Sequence, residues 1–362
     1  MQYRLEEIFD LQMGKTPARN NPEYWNTQDN KWISISDLSK CEKYISDTKE
    51  YISDKAVEES GIKSIPENTV IMSFKLSIGK TAITPEPMYS NEAIMAFIDK
   101  KIVELLPDYI YYMLLSRDWN DGTNKAVMGK TLNKATLSKV KVSIHSIEEQ
   151  KKIIKVLDRV QSIITHRKQQ LEKLDLLIKA RFVEMFGDPV CNTKHLKTKK
   201  GIDIFKLSNG KFVPEDKRFD SGIPAYGGNG ISWYTNDILF QKDTLVIGRV
   251  GFQSGNVHFA KAPLWITDNA MYISNYDNQN YDIKFLCDLI EHIDFTRYQD
   301  AGDLKKITQK PFMNMEFIAP SIEMQKQYVS FVQQVDKSKA VLQRELEKAQ
   351  MLFDSLMQEY FG

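Results

Sequence analysis

The sequence predicts an α+β protein with two similar, mostly β globular domains and two long helices that pair as an antiparallel coiled coil. Two observations predict this class. A 42-residue stretch with helical periodicity, residues 146–187, occurs a second time without a gap at 321–362. Short alternating apolar runs bounded by Gly, Pro, Asn and Ser precede each copy, and such runs are typical of β-strands.

The helical repeat begins with SIEEQKK at Ser146 and returns as SIEMQKQ 175 residues later. Its apolar residues follow one another in steps of four and three, the heptad pattern of a coiled coil. Ser146 can cap the first helix with Glu149 as its reciprocal partner, and Gly187 is a stop signal. The predicted seam consists of Ile153, Leu157, Val160, Ile164, Leu171, Leu174 and Ile178 in the first copy, and of Tyr328, Val332, Val335, Leu342, Leu346, Ala349 and Phe353 in the second.

A helix of this length extends about 60 Å, and one with an apolar stripe needs a partner to be stable. The repeat itself is the obvious partner. If the intervening domain is compact with its ends close together, the second helix must run back along the first, which gives a pseudo-two-fold arrangement with one domain at each end. Arg167 and Lys339 interrupt the seam. They either extend along the helix to solvent, set the helix register or contact a partner.

The globular segments also repeat, which predicts a first domain at 1–145 and a second at 188–320, each followed by its helix at 146–187 or 321–362. IFDLQMGKTP matches IFKLSNGKFVP, VIMSFKLSIGKTAI matches LVIGRVGFQSGNVHF, and NEAIMAFI matches TDNAMYIS. A helical segment follows in each domain, at 109–116 and 283–292. The stretches between these matches differ widely, so one frame occurs twice with different loops.

Composition excludes several classes of protein. The chain lacks an apolar run of about 18 residues and an apolar signal core, so neither a membrane span nor secretion is predicted. Its three cysteines and five histidines are scattered, which predicts no metal site and suits the reducing cytoplasm. The net charge is +1, yet residues 122–147 hold five lysines and no acid. Such a patch suits contact with phosphates, and a solvated lysine-rich face is the alternative.

The sequence resembles the specificity subunits of type I restriction-modification systems. The resemblance covers essentially the whole chain. It is carried by GKTP with NPEYWN and KWISISDL, by IPAYGGNGI, by GRVGFQSGNVHF with ITDNAMYI, and by the helix ends ARFVEMFGD and DSLMQEYFG. One departure is His145, where the family usually has a proline before the helix.

The resemblance implies two target-recognition domains, each of which reads one half of a bipartite site in double-stranded DNA. It implies that the helices act as a spacer and dock two methyltransferase subunits, and that restriction and translocase subunits join this core in DNA methylation and host defence. It also implies a chain that is not catalytic and binds no cofactor. S-adenosylmethionine, ATP and Mg²⁺ are then expected on the partner subunits.

Contacts with DNA can be predicted by residue type. Lys and Arg beside Gly-rich loops suit phosphates, while Asn, Gln and Arg suit base edges. The candidates are Lys15, Arg19, Asn26, Lys75, Lys80, Lys130 and Lys134 in the first domain, and Asn229, Arg249, Gln253, Lys305 and Lys306 in the second. The aromatic residues in the same loops either stack on bases or form each domain's own small core, and the second reading is favoured. They are Tyr24, Trp25, Trp32, Tyr226, Trp233 and Tyr234.

Two other functions were weighed. A protein-binding adaptor with two domains on a coiled-coil strut would share the predicted architecture and would not need the lysine patch. An enzyme would need a catalytic motif. Asn21-Pro22-Glu23-Tyr24 lacks the second proline of an amino-methyltransferase motif, and the GKT sequences at Gly79 and Gly129 lack the first glycine of a phosphate-binding loop. No catalytic residue is therefore predicted.

Overall fold

The structure is a computed structural model that describes residues 1–75, 77–119, 132–300 and 305–362. The chain divides into two compact units, Met1–Lys168 with Arg344–Gly362, and Gln169–Gln343. Each unit holds one globular domain of strands and short helices together with parts of two 40-residue helices. The predicted α+β class and the two long helices are confirmed.

In the first unit, short strands and helices precede the first long helix. The strands are β1 (Gln2–Arg4), β2 (Phe9–Met13), β3 (Asn30–Ile33), β4 (Glu50–Ile52), β5 (Thr69–Ser73), β6 (Thr81–Thr84), β7 (Tyr89–Ser90), β8 (Ile94–Asp99) and β9 (Lys141–Ser143). The helices are α1 (Leu5–Ile8), α2 (Ile35–Leu38), α3 (Asp54–Ser60), α4 (Pro107–Leu115), α5 (Lys134–Ser138) and the long α6 (Ile147–Phe186), with a 3₁₀ turn at Pro22–Tyr24.

The second unit has a similar order of strands, with no helix between β12 and β14, a stretch that the structure describes in full. Its strands are β10 (Thr198–Lys200), β11 (Phe205–Asn209), β12 (Ile223–Gly227), β13 (Gly230–Thr235), β14 (Thr244–Gly248), β15 (Val257–Ala260), β16 (Trp265–Ile266), β17 (Ala270–Tyr276) and β18 (Glu316–Ile318). The helices are α7 (Gly201–Ile204), α8 (Ile283–Ile293), α9 (Lys310–Asn314) and the long α10 (Ile322–Phe361), with 3₁₀ turns at Glu215–Lys217 and Phe295–Tyr298.

The two units share one sheet topology. In the first, an antiparallel sheet has the order β2-β8-β5-β6, and a smaller sheet has the order β4-β3-β7 with β3 and β7 parallel. In the second, the corresponding orders are β11-β17-β14-β15 and β13-β12-β16, with β12 and β16 parallel. The pairs β1-β9 and β10-β18 also correspond. The repeated sequence segments therefore build the same frame twice.

Strands β5 and β14 each separate two cores, because successive side chains of a strand point to opposite faces of its sheet. Val70 and Met72 lie in a large core with residues of α4 and α6, whereas Ile71 lies in a smaller core on the other face. In β14, Ile247 and Val246 divide between two cores in the same way. This is why both strands consist almost entirely of buried residues.

The repeated Gly-Lys pair follows from a close approach of two backbones. A Cβ atom on Gly14 would lie 2.2 Å from the carbonyl oxygen of Asn91, and one on Gly210 would lie 2.0 Å from that of Thr267. A side chain at either position would clash with the facing backbone, so only glycine fits. The lysine after each glycine is thereby placed at the same point of each frame.

In the first unit, the seam residues at the start of α6 are buried and share the large core with Phe353 of α10. Before α6, the ring of His145 is hydrogen-bonded to the Tyr109 hydroxyl at 2.7 Å and packs edge-on to Phe361. The beginning of α6 therefore lies beside the end of α10. This position of His145 explains how the first domain accommodates a histidine where the second has Pro320.

Every seam position is at least half-buried in its own unit. Ile153, Leu157, Val160, Ile164, Tyr328, Val332, Val335 and Phe353 are buried, and Leu171, Leu174, Ile178, Leu342, Leu346 and Ala349 are half-buried.

The two charged residues that interrupt the seam each contact an acid on the facing helix. Arg167 lies 2.8 Å from Glu345 in the first unit, and Lys339 lies 2.5 Å from Asp175 in the second. Because Phe361 also packs beside His145 just before α6, and Phe182 near the end of α6 packs against Tyr328 near the start of α10, the helices are antiparallel within each unit. Ion pairs this exposed stabilise by less than about 1 kcal/mol, so their main effect is to favour one register.

A buried glutamine attaches each long helix to its globular domain. The Gln150 amide donates to the carbonyl oxygens of Glu104 at 2.9 Å and His145 at 3.0 Å, and accepts from the Leu106 N–H at 3.1 Å. In the second unit Gln325 makes the same three kinds of bond. Both side chains are fully buried. These glutamine anchors therefore fix the start of each long helix to the loop before α4 or α8.

Candidate nucleic-acid interface

The second domain has an open groove lined by four segments of the chain. These are the segment at 212–218, the hairpin of β12 and β13 around its turn, the loop at 249–255 and the segment at 267–269. We call this cavity the second-domain groove. Its volume is about 510 Å³, within the range of about 300–1,000 Å³ that is usual for ligand sites in proteins.

The loop at 249–255 is held firmly by backbone hydrogen bonds. Gly251 donates to the Lys305 carbonyl oxygen at 2.8 Å, and Gly255 donates to that of Gly248 at 2.9 Å. Gly251 and Gly255 have φ angles of +85° and +93°, which other residues rarely adopt. The two glycines let the loop turn sharply and present residues 252 and 253 between them.

Two of the predicted base contacts line this groove, and the predicted phosphate contact Arg249 lies beside it. Asn229 lies exposed in the hairpin turn and lines the groove together with Gln253. The side-chain oxygen Oε1 of Gln253 accepts from the side-chain amide Nδ2 of Asn256. Arg249 starts the loop, and its guanidinium donates to the Asp268 backbone carbonyl at 3.3 Å. An amide pair and a cation are thus held on one surface.

The two predicted lysines of this domain lie against the same loop. The Lys305 ammonium is 5.4 Å from the centre of the Phe252 ring, and Lys306 forms an isolated β-bridge with Val250. Both lysines are exposed. The second-domain groove therefore has two cations at its edge that can approach phosphates.

Arg218 is a groove residue that was not predicted as a contact, and Trp233, for which the sequence favours a place in the small core over stacking on bases, also lines the groove. Arg218 donates from Nη2 to the Val213 carbonyl oxygen at 2.9 Å, and its guanidinium lies 5.2 Å from the Trp233 ring centre. Both side chains line the groove. Arg218 could have been found, because it lies a few residues before the Gly-rich IPAYGGNGI segment that carried the other candidates.

In the first domain, Arg19 belongs to an aromatic cluster. Its guanidinium lies 3.8 Å from the Trp25 ring centre and 4.7 Å from that of Trp32, and it forms a two-pronged ion pair with Glu50. Trp32 is buried, and Trp25 packs with it against Ile52. The tryptophans therefore form a small core of this domain, and Arg19 already has a carboxylate partner.

Lys75 and Lys15 are the other two predicted cations in this part of the first domain, and Lys75 lies near Glu92. The Thr16 hydroxyl donates to Glu92 and is the main reason that the pKa of this carboxyl lies below its usual value, with smaller contributions from the charges of Lys75 and Arg19. Lys15 donates to the Ser60 carbonyl oxygen at 2.5 Å. The structure therefore gathers these three predicted cations around one part of the first domain, each with a protein partner or neighbour.

The other candidates of the first domain lie on separate elements of the chain. Asn26 follows the 3₁₀ turn, Lys80 precedes β6 and Lys134 begins α5, and all three side chains are exposed. Lys130 lies outside the described residues. For these positions the structure supplies exposure and no common geometry.

The described residues contain neither a metal-binding cluster nor a membrane-spanning helix. No group of three or more His, Cys, Asp and Glu side chains there could hold a metal ion. None of the helices in the described part of the chain is long and apolar enough to cross a membrane.

The fold is similar to solved structures over the whole chain. The S subunit of a type I restriction-modification system from M. genitalium superimposes with a TM-score of 0.62 at 14% identity, covering 100% of this chain and 96% of that one. A chain from a structure on complex assembly and conformational transition of the type I R-M system gives a TM-score of 0.61 at 13% identity, covering 99% and 96%. At these identities the likeness concerns the fold alone.

Sequence relatives carry the same description. The MjaIX specificity subunit of Methanocaldococcus jannaschii is 29% identical over 61% of this chain, an alignment that spans only 48% of the relative. The EcoprrI specificity subunit of Escherichia coli is 22% identical over 89% of this chain and 84% of its own length. The model of the type I restriction modification DNA specificity domain matches residues 1–174 and 194–350. The two segments matched by this family model cover most of the sequence, so the chain belongs to the type I restriction-modification DNA specificity family.

Proposed function

We propose that this chain supplies DNA sequence specificity to a type I restriction-modification complex, with each globular domain reading one half of a bipartite site. The long helices act as the spacer and dock two methyltransferase subunits, and restriction and translocase subunits join them. The chain itself is not catalytic. It works in the cytoplasm, and S-adenosylmethionine, ATP and Mg²⁺ are used by its partners.

One observation carries this proposal. The two units have the same strand order and the same helix anchors, yet the loops at their candidate contact surfaces differ in residues and length. A shared frame supplies the same mounting twice, and different loops read different bases. The two half-sites are therefore expected to differ in sequence, and half-sites one DNA turn apart have centres about 34 Å apart.

The candidate contacts fit duplex DNA better than a protein partner. The second-domain groove combines amides that can pair with base edges and cations that can neutralise phosphates, with Lys305 and Arg249 beside Asn229 and Gln253. An adaptor that binds only proteins would not need this combination. Binding to DNA should consequently weaken steeply as salt is added.

The test is an exchange of residues 1–145 for those of a relative, in a complex with the methyltransferase partner. DNA protection should show a split site, and the exchange should change one half-site while the other stays the same. The reverse exchange, at 188–320, should change the other half. If both half-sites survive both exchanges, the globular domains do not read DNA. If the assembled complex shows no salt-sensitive binding to DNA, the adaptor function is favoured.

A further inference from the structure

We propose that the second domain inserts the Phe252 side chain between neighbouring bases of its half-site. This inference rests on the proposed function, because it requires a DNA half-site in contact with the second-domain groove. It assigns to one residue a role in deforming DNA, which is distinct from reading base edges.

The Phe252 ring is highly exposed to solvent. Phe252 is 82% exposed and Phe212 is 64% exposed, and these are the most exposed phenylalanines among the described residues. Both line the second-domain groove. A single exposed apolar side chain is common on protein surfaces, but two exposed rings at one polar groove indicate a surface that contacts a ligand.

The backbone of the loop that carries Phe252 is held by several hydrogen bonds. Besides the two backbone bonds of Gly251 and Gly255, the Gln299 amide donates to the Ser254 carbonyl oxygen. Ser254 also donates from its backbone N–H to the Gly251 carbonyl oxygen at 3.0 Å. The loop therefore presents Phe252 from a fixed backbone rather than from a segment that could fold it back into the core. A wedge needs such support, because unstacking two bases costs a few kcal/mol.

Cations and hydrogen-bonding side chains lie near the Phe252 ring. The Lys305 ammonium lies near the Phe252 ring, and Arg249 lies at the start of the same loop, so cations are available for the phosphates that flank an opened base step. Gln253 follows directly and lines the groove with the carboxylate of Asp268, which can accept from a cytosine amine. An apolar wedge beside cations and hydrogen-bonding groups matches duplex DNA and not an apolar protein surface.

The experiment uses the complete complex with its methyltransferase partner and duplexes that carry the mapped split site. 2-Aminopurine, whose fluorescence rises when it is unstacked, replaces each adenine of each half-site in turn. Four forms of the chain are compared: wild type, Phe252→Ser, Phe252→Leu and Phe219→Ser. Phe219 is a matched control, since it is a partly exposed phenylalanine of the same domain that does not line the groove.

We expect a position in the second half-site to brighten with the wild type and with Phe252→Leu, because leucine also serves as an apolar wedge. Phe252→Ser should abolish this signal and weaken binding by about 5- to 150-fold, the range for loss of one aromatic ring from a base stack. Its slope of log K against log salt should stay unchanged, whereas Lys305→Ala should reduce that slope by about one.

Three results separate the outcomes. Equal brightening with wild type and Phe252→Ser at every position of the second half-site overturns the wedge and leaves the proposed function intact. Loss of the signal in Phe219→Ser as well as in Phe252→Ser also overturns it, because the effect would then reflect a general disturbance of the domain. Absence of salt-sensitive binding to the split site by the wild type overturns the proposed function itself.

Discussion

Replacing the buried Gln325 by methionine should loosen the joint between α10 and the second domain. The amide accepts from the Asp282 N–H at 2.9 Å and donates to the carbonyl oxygens of Asn280 at 2.8 Å and Pro320 at 2.9 Å. Methionine has a similar length and no hydrogen-bonding amide, so three buried backbone groups lose their partner. At about 1 kcal/mol each, the lower end of the cost of an unsatisfied buried group, the joint should open more easily by about 3 kcal/mol.

Hydrogen exchange followed by mass spectrometry measures this effect locally, which a single unfolding temperature for a protein of two units would not. Peptides that cover 278–286 and 320–328 should exchange about 100-fold faster in Gln325→Met, while peptides around Gln150 stay unchanged. Gln150→Met should give the converse pattern. Gln327→Met is the control, because Gln327 lies on the same helix turn and is exposed. Equal exchange in Gln325→Met and Gln327→Met would refute the assignment of an anchoring role to the amide.

Three further predictions follow from contacts within the first unit. Burial raises the pKa of the Tyr109 hydroxyl to about 12. The stability that this group contributes is therefore complete below pH 10 and is lost as the pH rises toward 12. Tyr109→Phe should remove one tyrosine that ionises near pH 12 from an absorbance titration at 295 nm. Arg19→Ala should lower the salt slope of DNA binding by less than Lys80→Ala does, because Glu50 already balances the charge of Arg19. Arg19→Ala should also destabilise the small tryptophan core by about 1 kcal/mol, which tryptophan fluorescence during urea unfolding would detect, and an unchanged unfolding midpoint would contradict it.

The long helices could be predicted from sequence because their signals are local. The heptad steps from Ile153 onward, the capping Ser146 and the stop at Gly187 all act within a few residues of the positions they specify. The duplicated frame was also predictable, since each repeated segment forms corresponding strands in both units. The glutamine anchors were not found, although both occur in the repeated SIEEQ and SIEMQ sequences. A lone glutamine at the start of a helix indicates a surface position unless its distant backbone partners are known.

The candidate contacts were predicted less completely, because their geometry depends on partners far along the chain. Asn229 and Gln253 share a groove only because the fold brings the β12–β13 turn to the loop after β14. Arg19 satisfied the sequence rule for a phosphate contact, yet the fold pairs it with Glu50, 31 residues away. The exposed ring of Phe252 could not be distinguished from a core phenylalanine by its position in an alternating apolar segment.

The central claim is that two dissimilar domains of one chain read two halves of a separated DNA site. The most direct measurement is a map of methylated bases across the genome of cells with and without this gene. We expect the methylated bases to lie in a motif of two different short sequences separated by unspecified bases. Methylation of this motif should disappear when the gene is removed. A continuous motif, or a methylation pattern that is unchanged without the gene, would contradict it.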